Sequence, residues 1–299
     1  MKILLVGNKG RLGAALERHF SSQSDVELHC WNRADVDLEN KNAVARAAEN
    51  LSLQANDAIL YAAGMTRLEE CENKPRQAIV INVETPELLA RKAAEHAARF
   101  IYFSTDYVFD GTATTPYTET DAANPTSIYG QSKLAGERLV LAADPNHFVI
   151  RVSWLFGPDQ DGAHFVNQFL RRAKSGETLE AIADKFSVPS FTPDLAEATA
   201  NLLRKNIPGG LYHLCNVDAG QPAVSWLDYA KQILTSAVRA NILDRVPPVK
   251  PIRLADMEQM QVKRPPYSAM NTAKFIEATH FPLRSWKIAL DDYMQSVRK

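Results

Sequence analysis

Residues Ile3-Leu4-Leu5-Val6 run without a polar interruption into Gly7-Asn8-Lys9-Gly10-Arg11-Leu12-Gly13, after which Leu12, Leu16 and Phe20 fall at helical spacing. A short, wholly apolar run suits a strand buried on both faces, which is the condition of strands in parallel sheets. Parallel neighbours cannot be joined by a tight hairpin and need a crossover, usually a helix. The rest of the first half obeys that demand. Val26–Trp31 reads as a second strand, Asn40–Ser52 as an alanine-rich helix, and Ala58–Ala62 as a strand entering Ala63-Gly64. Pro86–Ala98 is helical, Phe100–Phe103 a strand, Ile128–Leu141 a helix and Phe148–Val152 a strand.

This alternation predicts an α/β fold, a Rossmann-type doubly wound parallel sheet. After Trp154 the pattern loosens. Phe165–Lys174 reads as a helix stopped by Ser175-Gly176, and Val188–Phe191 as a short apolar piece. A helix over Pro193–Arg204 has Thr192 as its expected cap, and Leu211–Cys215 is a late strand. Ser225 caps a helix to Val238, the stretch holding Pro247, Pro248, Pro251, Pro265 and Pro266 is irregular, and Trp286–Val297 is a closing helix. The expected division is a dinucleotide-binding domain over 1–155, with returning segments about 187–222 and 266–275. The remainder of 156–299 forms a smaller C-terminal substrate-binding domain.

With 299 residues, 45% of them hydrophobic, the chain is long enough to bury cores of that size. Its 34 basic and 35 acidic residues leave a net charge of −1, so nothing favours nucleic acid or an anionic membrane as partner. Cys30, Cys71 and Cys215 are odd in number and scattered, which fits reduced thiols in a cytoplasmic protein. No stretch is long and apolar enough to span a membrane.

The glycine turn follows a strand and opens a helix. Glycines there allow a tight turn and let a pyrophosphate approach the backbone, and the helix N-terminus offers N–H donors and a positive dipole end. The spacing is GxxGxxG. At the end of the second strand, Trp31-Asn32-Arg33 lacks the carboxylate that would bind an adenosine 2′-hydroxyl. Arg33 instead matches a 2′-phosphate, with Lys9 and Arg11 as helpers, so NADPH is the expected cofactor and NADH the alternative. The other reading of Arg33 is a solvated surface arginine. Asp35 or Asp37 is placed to contact adenine.

Farther on, Tyr129 and Lys133 are four residues apart at the start of a helical pattern. Such residues share a helix face, with Cβ atoms roughly 5–6 Å apart. A cation beside a phenol favours the phenolate, which suits acid/base work on a carbonyl or alcohol. Ser104-Thr105-Asp106-Tyr107 ends the preceding apolar strand.

Together these stretches resemble the extended short-chain dehydrogenase/reductase family and, within it, the dTDP-4-dehydrorhamnose reductase group. The resemblance is carried by GNKGRLG, by Ala62–Glu72, by Asn82-Val83, by STDYVFDG (104–111), by YGQSKLAGE (129–137), by Arg151–Gly157, by 188–196 and by Lys263-Arg264-Pro265. It implies that Tyr129 is the proton donor in ketone reduction, that Lys133 binds the nicotinamide ribose and lowers the pKa of Tyr129, and that Thr105 hydrogen-bonds the reacting oxygen. It implies cofactor contacts from Gly7, Gly10, Arg11, Leu12, Ala62, Ala63 and Gly64, besides Arg33, Tyr129 and Lys133. Met65, Leu68, Tyr107 and Trp154 are candidates for the sugar wall, Trp154 being equally a core residue. Arg264, with Lys263, is a candidate for the substrate diphosphate or else a solvated loop charge. Some members carry a metal-bridging glutamate where this chain has Ala15, so no metal site is expected and a homodimer stays open. His147 and His164 read as structural or exposed.

The implied activity is NADPH-dependent reduction of the 4-keto group of a nucleotide-linked 6-deoxysugar, foremost dTDP-4-dehydro-L-rhamnose. The alternatives are another nucleotide-sugar reductase or epimerase, or a non-catalytic NADP-binding regulatory subunit such as that of methionine adenosyltransferase.

Overall fold

The computed structural model describes residues 1–158, 164–218, 223–257 and 261–298. The chain begins with β1 (Lys2–Val6), α1 (Arg11–Ser21), β2 (Glu27–Trp31), α2 (Lys41–Glu49) and β3 (Ala58–Tyr61). Two short helices, α3 (Leu68–Asn73) and α4 (Pro75–Ile79), lead through one π-helical turn, Val80–Glu84, into α5 (Thr85–Glu95). Then come β4 (Arg99–Thr105), α6 (Ile128–Ala143), β5 (Phe148–Val152) and β6 (Leu155–Phe156). The second half holds α7 (Phe165–Lys174), β7 (Leu179–Ile182), β8 (Phe186–Ser187), β9 (Ser190–Phe191) and α8 (Thr192–Arg204). It closes with β10 (Gly210–His213), β11 (Val224–Ser225), α9 (Trp226–Arg239), β12 (Val249–Ile252), α10 (Ala273–Thr279) and α11 (Trp286–Val297).

Among the described residues six strands form one parallel sheet in the order β10-β5-β4-β3-β1-β2. The apolar runs explain it. Successive side chains of a strand point to opposite faces. Ile3 and Leu5 enter a core with Leu12, Leu16 and Phe20 of α1 and Leu195 and Leu202 of α8. Leu4 and Val6 enter a second core with Val44 of α2, Leu89 and Ala93 of α5 and Val140 of α6. β3, β4 and β5 divide their side chains between the same two cores. A run with a polar residue at every second position would leave one of these layers without a floor. Each fully buried Leu, Ile or Phe contributes roughly 1.5–3 kcal/mol.

A smaller body packs beyond the sheet. Val166 and Leu170 of α7, Tyr229 and Ile233 of α9, and Trp286, Leu290 and Tyr293 of α11 share a core with Phe156 and Phe191. Two-stranded pairings join β7 to β12, β8 to β11 and β6 to β9. No helix among the described residues is long and apolar enough to cross a membrane.

Two expectations change. The proline-rich stretch is not wholly irregular, because Val249–Ile252 pairs in parallel with β7. Pro251 is tolerated there on an exposed two-stranded edge, where its missing N–H leaves no ladder bond broken. Thr192 does not cap α8: it is the first helical residue, and its buried hydroxyl has no hydrogen-bond partner among the described residues. Ser225 does cap α9, accepting from the Asp228 N–H at 3.0 Å. The segments α3, α4 and α10 carry too few turns to show a periodic stripe. The tail of the segment expected over 187–222 includes residues 219–222, which lie outside the described residues, as do 159–163, 258–260 and 299 within the expected C-terminal part.

His213 at the end of β10 is fully buried, with Nδ1 3.1 Å from the Tyr117 carbonyl oxygen and its ring edge-on to Phe109. Burial first, and the nearby Arg151 second, push its pKa down to about 3. Below its ordinary value the unfolded chain binds a proton that the folded chain refuses. Stability from this residue is therefore complete above about pH 6.5 and is lost as pH falls toward 3, with a slope of up to about 1.4 kcal/mol per unit. Urea unfolding at pH 4, 5 and 6 should show a shallower pH dependence for His213→Asn than for the parent. Equal slopes would refute the assignment.

Candidate active site

The sheet order fixes where a site can form. From β1 the chain goes outward to β2 and then returns across to β3, so the β1/β3 boundary is the point where the winding reverses. In open parallel sheets ligands bind outside the carboxyl ends of the strands at such a point. Here Gly7 ends β1 and Ala62-Ala63-Gly64 follow β3. Gly7 has φ +92°, and a Cβ on it would lie 2.6 Å from the Ala63 nitrogen. A Cβ on Gly13 would lie 2.0 Å from the Gly7 carbonyl oxygen. The turn is thus closed as tightly as backbone permits, while Gly10 faces little but the Gly7 carbonyl at 3.5 Å. Gly10 is the N-cap of α1 in extended conformation, with no side chain capping it. The helix end therefore presents backbone donors suited to a phosphate.

The side chains near the turn sort themselves. Leu12 is buried in the core, so only its backbone is available to a ligand. Arg11 Nη1 reaches the Leu155 carbonyl at 3.4 Å. Arg33 is exposed in the turn after β2, and Lys9 is exposed as well. Asp35 and Asp37 form that turn, accepting the N–H groups of Asn32 at 2.9 Å and Glu39 at 3.0 Å. Dinucleotide and residues fit: a cradle without side chains, an uncapped helix N-terminus, and cations at the rim.

Beside the cradle, β4 ends at Thr105 and α6 begins, with Ser127 as its cap accepting from Gly130 N at 3.2 Å. Thr105 is buried beside Tyr129, whose phenol it favours in the ionised form, and its own hydroxyl donates to Asp106 at 3.2 Å. Lys133 is 3% exposed; its ammonium donates to the Phe103 carbonyl at 2.6 Å and lies 3.8 Å from the centre of the Tyr102 ring. The Tyr107 ring stands edge-on to Tyr129, centroids 5.9 Å apart. Thr105 and Tyr129 therefore come together, with Lys133 one helical turn along α6 from Tyr129.

Their electrostatics differ from the expectation that Lys133 draws Tyr129 toward phenolate. Burial raises the phenol above its ordinary value, and Thr105 only partly opposes it. Burial also lowers Lys133 to about 7, with Glu137 opposing. Desolvation thus outweighs the opposing effect of Thr105 at the phenol and of Glu137 at the ammonium.

Glu137 continues the helix face of Tyr129 and Lys133 by one more turn, a repeat visible in the sequence but not read there. It is 3% exposed, pairs with Arg151 of β5 at 2.9 and 2.7 Å, and accepts the Ser104 hydroxyl at 2.5 Å. Asn82, in the π turn, accepts from Met65 N at 2.9 Å and donates to the Met65 carbonyl and to Ser132, both at 3.0 Å. Asp106, buried behind Thr105, accepts hydroxyls from Thr105 at 3.2 Å, Ser187 at 3.1 Å and Ser268 at 2.5 Å.

On the expected sugar side, Met65 and Leu68 are buried, Met65 among Cys71, Ala78 and Ile81 with Tyr129 against them. Trp154 is half-buried at φ +37°, a left-handed conformation costly for so large a residue. It stacks on Tyr229 and packs tilted against Trp226, and its indole N–H is buried without a partner among the described residues. Arg264 is half-buried and donates to Glu69 of α3 at 3.1 Å, with its charge favouring ionised Tyr107, while Lys263 is exposed. His147 is buried against Phe100 with Nε2 2.9 Å from the Ala90 carbonyl, and His164 is buried against Tyr293, so both are structural.

The RmlD substrate binding domain family matches residues 1–299. A dTDP-4-dehydrorhamnose reductase of Aggregatibacter actinomycetemcomitans is 33% identical over 294 residues, covering 97% of each chain. The crystal structure of a dTDP-4-dehydrorhamnose reductase ortholog from Clostridium acetobutylicum superposes with a TM-score of 0.88 at 31% identity, covering 100% of both chains. That of the Bacillus anthracis enzyme in complex with NADP gives 0.88 at 25% identity over 99% of both.

The Glu137–Arg151 pair makes a prediction independent of any ligand. Removing one partner strands a buried charge, a loss of roughly 3–5 kcal/mol. Urea unfolding of Glu137→Ala should show that loss, and a change below about 1 kcal/mol would mean the pair is not holding α6 to β5.

Proposed function

Because the chain belongs to the RmlD substrate binding domain family, we propose that it uses NADPH to reduce the 4-keto group of a nucleotide-linked 6-deoxysugar, converting dTDP-4-dehydro-L-rhamnose to dTDP-L-rhamnose. The observation that supports this most is the placing of Thr105 by Tyr129, with Lys133 one helical turn along α6, beside a side-chain-free phosphate cradle at the reversal point of the sheet.

The cradle of Gly7, Gly10 and the α1 N-terminus takes the pyrophosphate, with backbone donors from Arg11 and Leu12. Ala62, Ala63 and Gly64 leave room for the dinucleotide, and Arg33 takes the 2′-phosphate. The bound nicotinamide supplies hydride to the carbonyl carbon. Tyr129 gives its phenol proton to the carbonyl oxygen as negative charge builds there. Its raised pKa keeps that proton in place at neutral pH, as a general acid requires. Thr105, tied to Asp106 and to the Tyr107 N–H, fixes where the phenol points. Once the proton has left, a phenolate remains, and Lys133 one turn along α6 is the cation that stabilises it. Lys133 also holds the nicotinamide ribose. Met65, Leu68, Tyr107 and Trp154 wall the deoxysugar, and Arg264 meets the diphosphate.

The domain division follows the same reading: 1–155 with the returning strand and helix segments binds the dinucleotide, and the smaller body binds the sugar nucleotide. Three free thiols, Cys30, Cys71 and Cys215, support a cytoplasmic place of action.

A coupled assay supplying the 4-keto sugar nucleotide and following NADPH absorbance tests the activity. NADPH binding without turnover would instead favour the regulatory-subunit alternative. In the same assay Tyr129→Phe should lose about 10²–10⁴-fold in turnover while the NADPH dissociation constant barely moves. A variant near the parent rate would remove Tyr129 as the proton donor. Arg33→Ala should raise the KM for NADPH by about tenfold and leave that for NADH unchanged. Equal effects on both would mean that Arg33 does not read the 2′-phosphate.

A further inference from the structure

Lys185 lies in none of the motifs that the sequence offers for chemistry, yet it is fully buried. Its ammonium donates to the Pro265 carbonyl at 2.9 Å, and its ring neighbours are Tyr107 at 5.2 Å, Trp226 at 5.7 Å and Trp154 at 5.8 Å from the ring centres. Three of the five residues assigned to the sugar side meet here: Tyr107 and Trp154 directly, and Arg264 through the next residue in the chain, Pro265. The segments come from far apart in sequence, and further bonds bind them at the same place. Phe186 N donates to the Pro266 carbonyl at 2.7 Å and Ser268 N to the Phe186 carbonyl at 2.9 Å. Ser187 and Ser268 both reach the buried Asp106 carboxylate, which is the counter-charge to Lys185.

An apolar side chain could fill the same space among three aromatic rings with no charge to desolvate, and burying an ammonium costs several kcal/mol. A methionine or leucine, however, would neither bind the Pro265 carbonyl nor draw ring faces toward itself as a cation does. We propose that Lys185 is a positioning residue for the nucleotide-sugar substrate: its ammonium fastens the Tyr107 and Trp154 walls and the Arg264-Pro265 segment to one point, so that all three face the sugar together. This rests on the reading of the function given above. Lys185 acts through these residues and not on the reacting atoms.

Lys185→Met and Lys185→Gln in the full chain test it, with near-ultraviolet circular dichroism confirming the fold. Methionine removes both charge and donor, whereas glutamine removes the charge and keeps a donor for Pro265. The KM for the 4-keto sugar nucleotide should rise about tenfold or more in Lys185→Met and about threefold in Lys185→Gln, with kcat reduced far less and NADPH affinity unchanged. Calorimetric binding of dTDP-L-rhamnose should weaken in the same order. If either folded variant keeps the parent KM and product affinity, the proposal is wrong. If kcat falls while KM stays, Lys185 acts on the chemical step and the positioning role is equally wrong. Should Lys185→Met not fold, Lys185→Gln alone decides by the same criteria. A parent chain that neither reduces nor binds the sugar nucleotide overturns the functional reading instead, which keeps the two failures apart.

Discussion

The seating of α6 on β4 and β5 is the constraint on which the site depends. Thr105 belongs to a strand and Tyr129 to a helix, and the two come together only if that helix is pinned in all directions. Gly136 permits the approach: a Cβ there would lie 2.2 Å from the Asn82 carbonyl oxygen and 2.6 Å from the Tyr102 hydroxyl. One turn before it, Lys133 binds the β4 backbone at Phe103, and next to it Glu137 holds Arg151 of β5 in a two-bond fork. Such a fork fixes orientation as well as distance. Position along the helix axis, rotation about it and height above the sheet are thereby set by separate contacts.

The price of that seating is desolvation, and it decides the chemistry of the groups involved. The helix face that carries Tyr129, Lys133 and Glu137 is pressed onto buried tyrosines of the sheet. A phenol there holds its proton more firmly than in water and an ammonium less firmly. For a reductase this is the useful direction. In the proposed reduction the acid must be protonated before hydride arrives, and the cation is needed when the phenolate appears.

How much of this is legible in the sequence follows from distance along the chain. The apolar runs at Ile3–Val6 and Phe148–Val152 reveal the sheet because burial on two faces writes itself into every residue. The pairing of Tyr129 with Lys133 is legible because four residues make one helical turn, and the same rule extends to Glu137. Asp106 is another matter. Its partners Ser187 and Ser268 lie 81 and 162 residues away, at positions no local period marks. Three-residue to seven-residue pieces such as α10 and β12 gain their structure from what they pack against. The depression of the Tyr129 pKa failed as an expectation for a related reason: a sequence shows which charges are near, but not how much water they have lost.

The smaller body extends the logic of the seated helix. Trp154 leaves the sheet just beyond β5 in a left-handed conformation, and this turns its ring onto Trp226 and Tyr229 of α9. A strained residue persists only where its surroundings over-determine it. Here the surroundings are the Trp226 and Tyr229 rings together with Lys185. Lys185 is tied in turn to the segment carrying Arg264, and Arg264 to Glu69 on α3. Contacts thus run from the end of β5 through Trp154, Lys185 and the segment of Arg264 back to α3. The junction between the sheet and the smaller body is therefore held by residues from several elements, none of which would fix it alone.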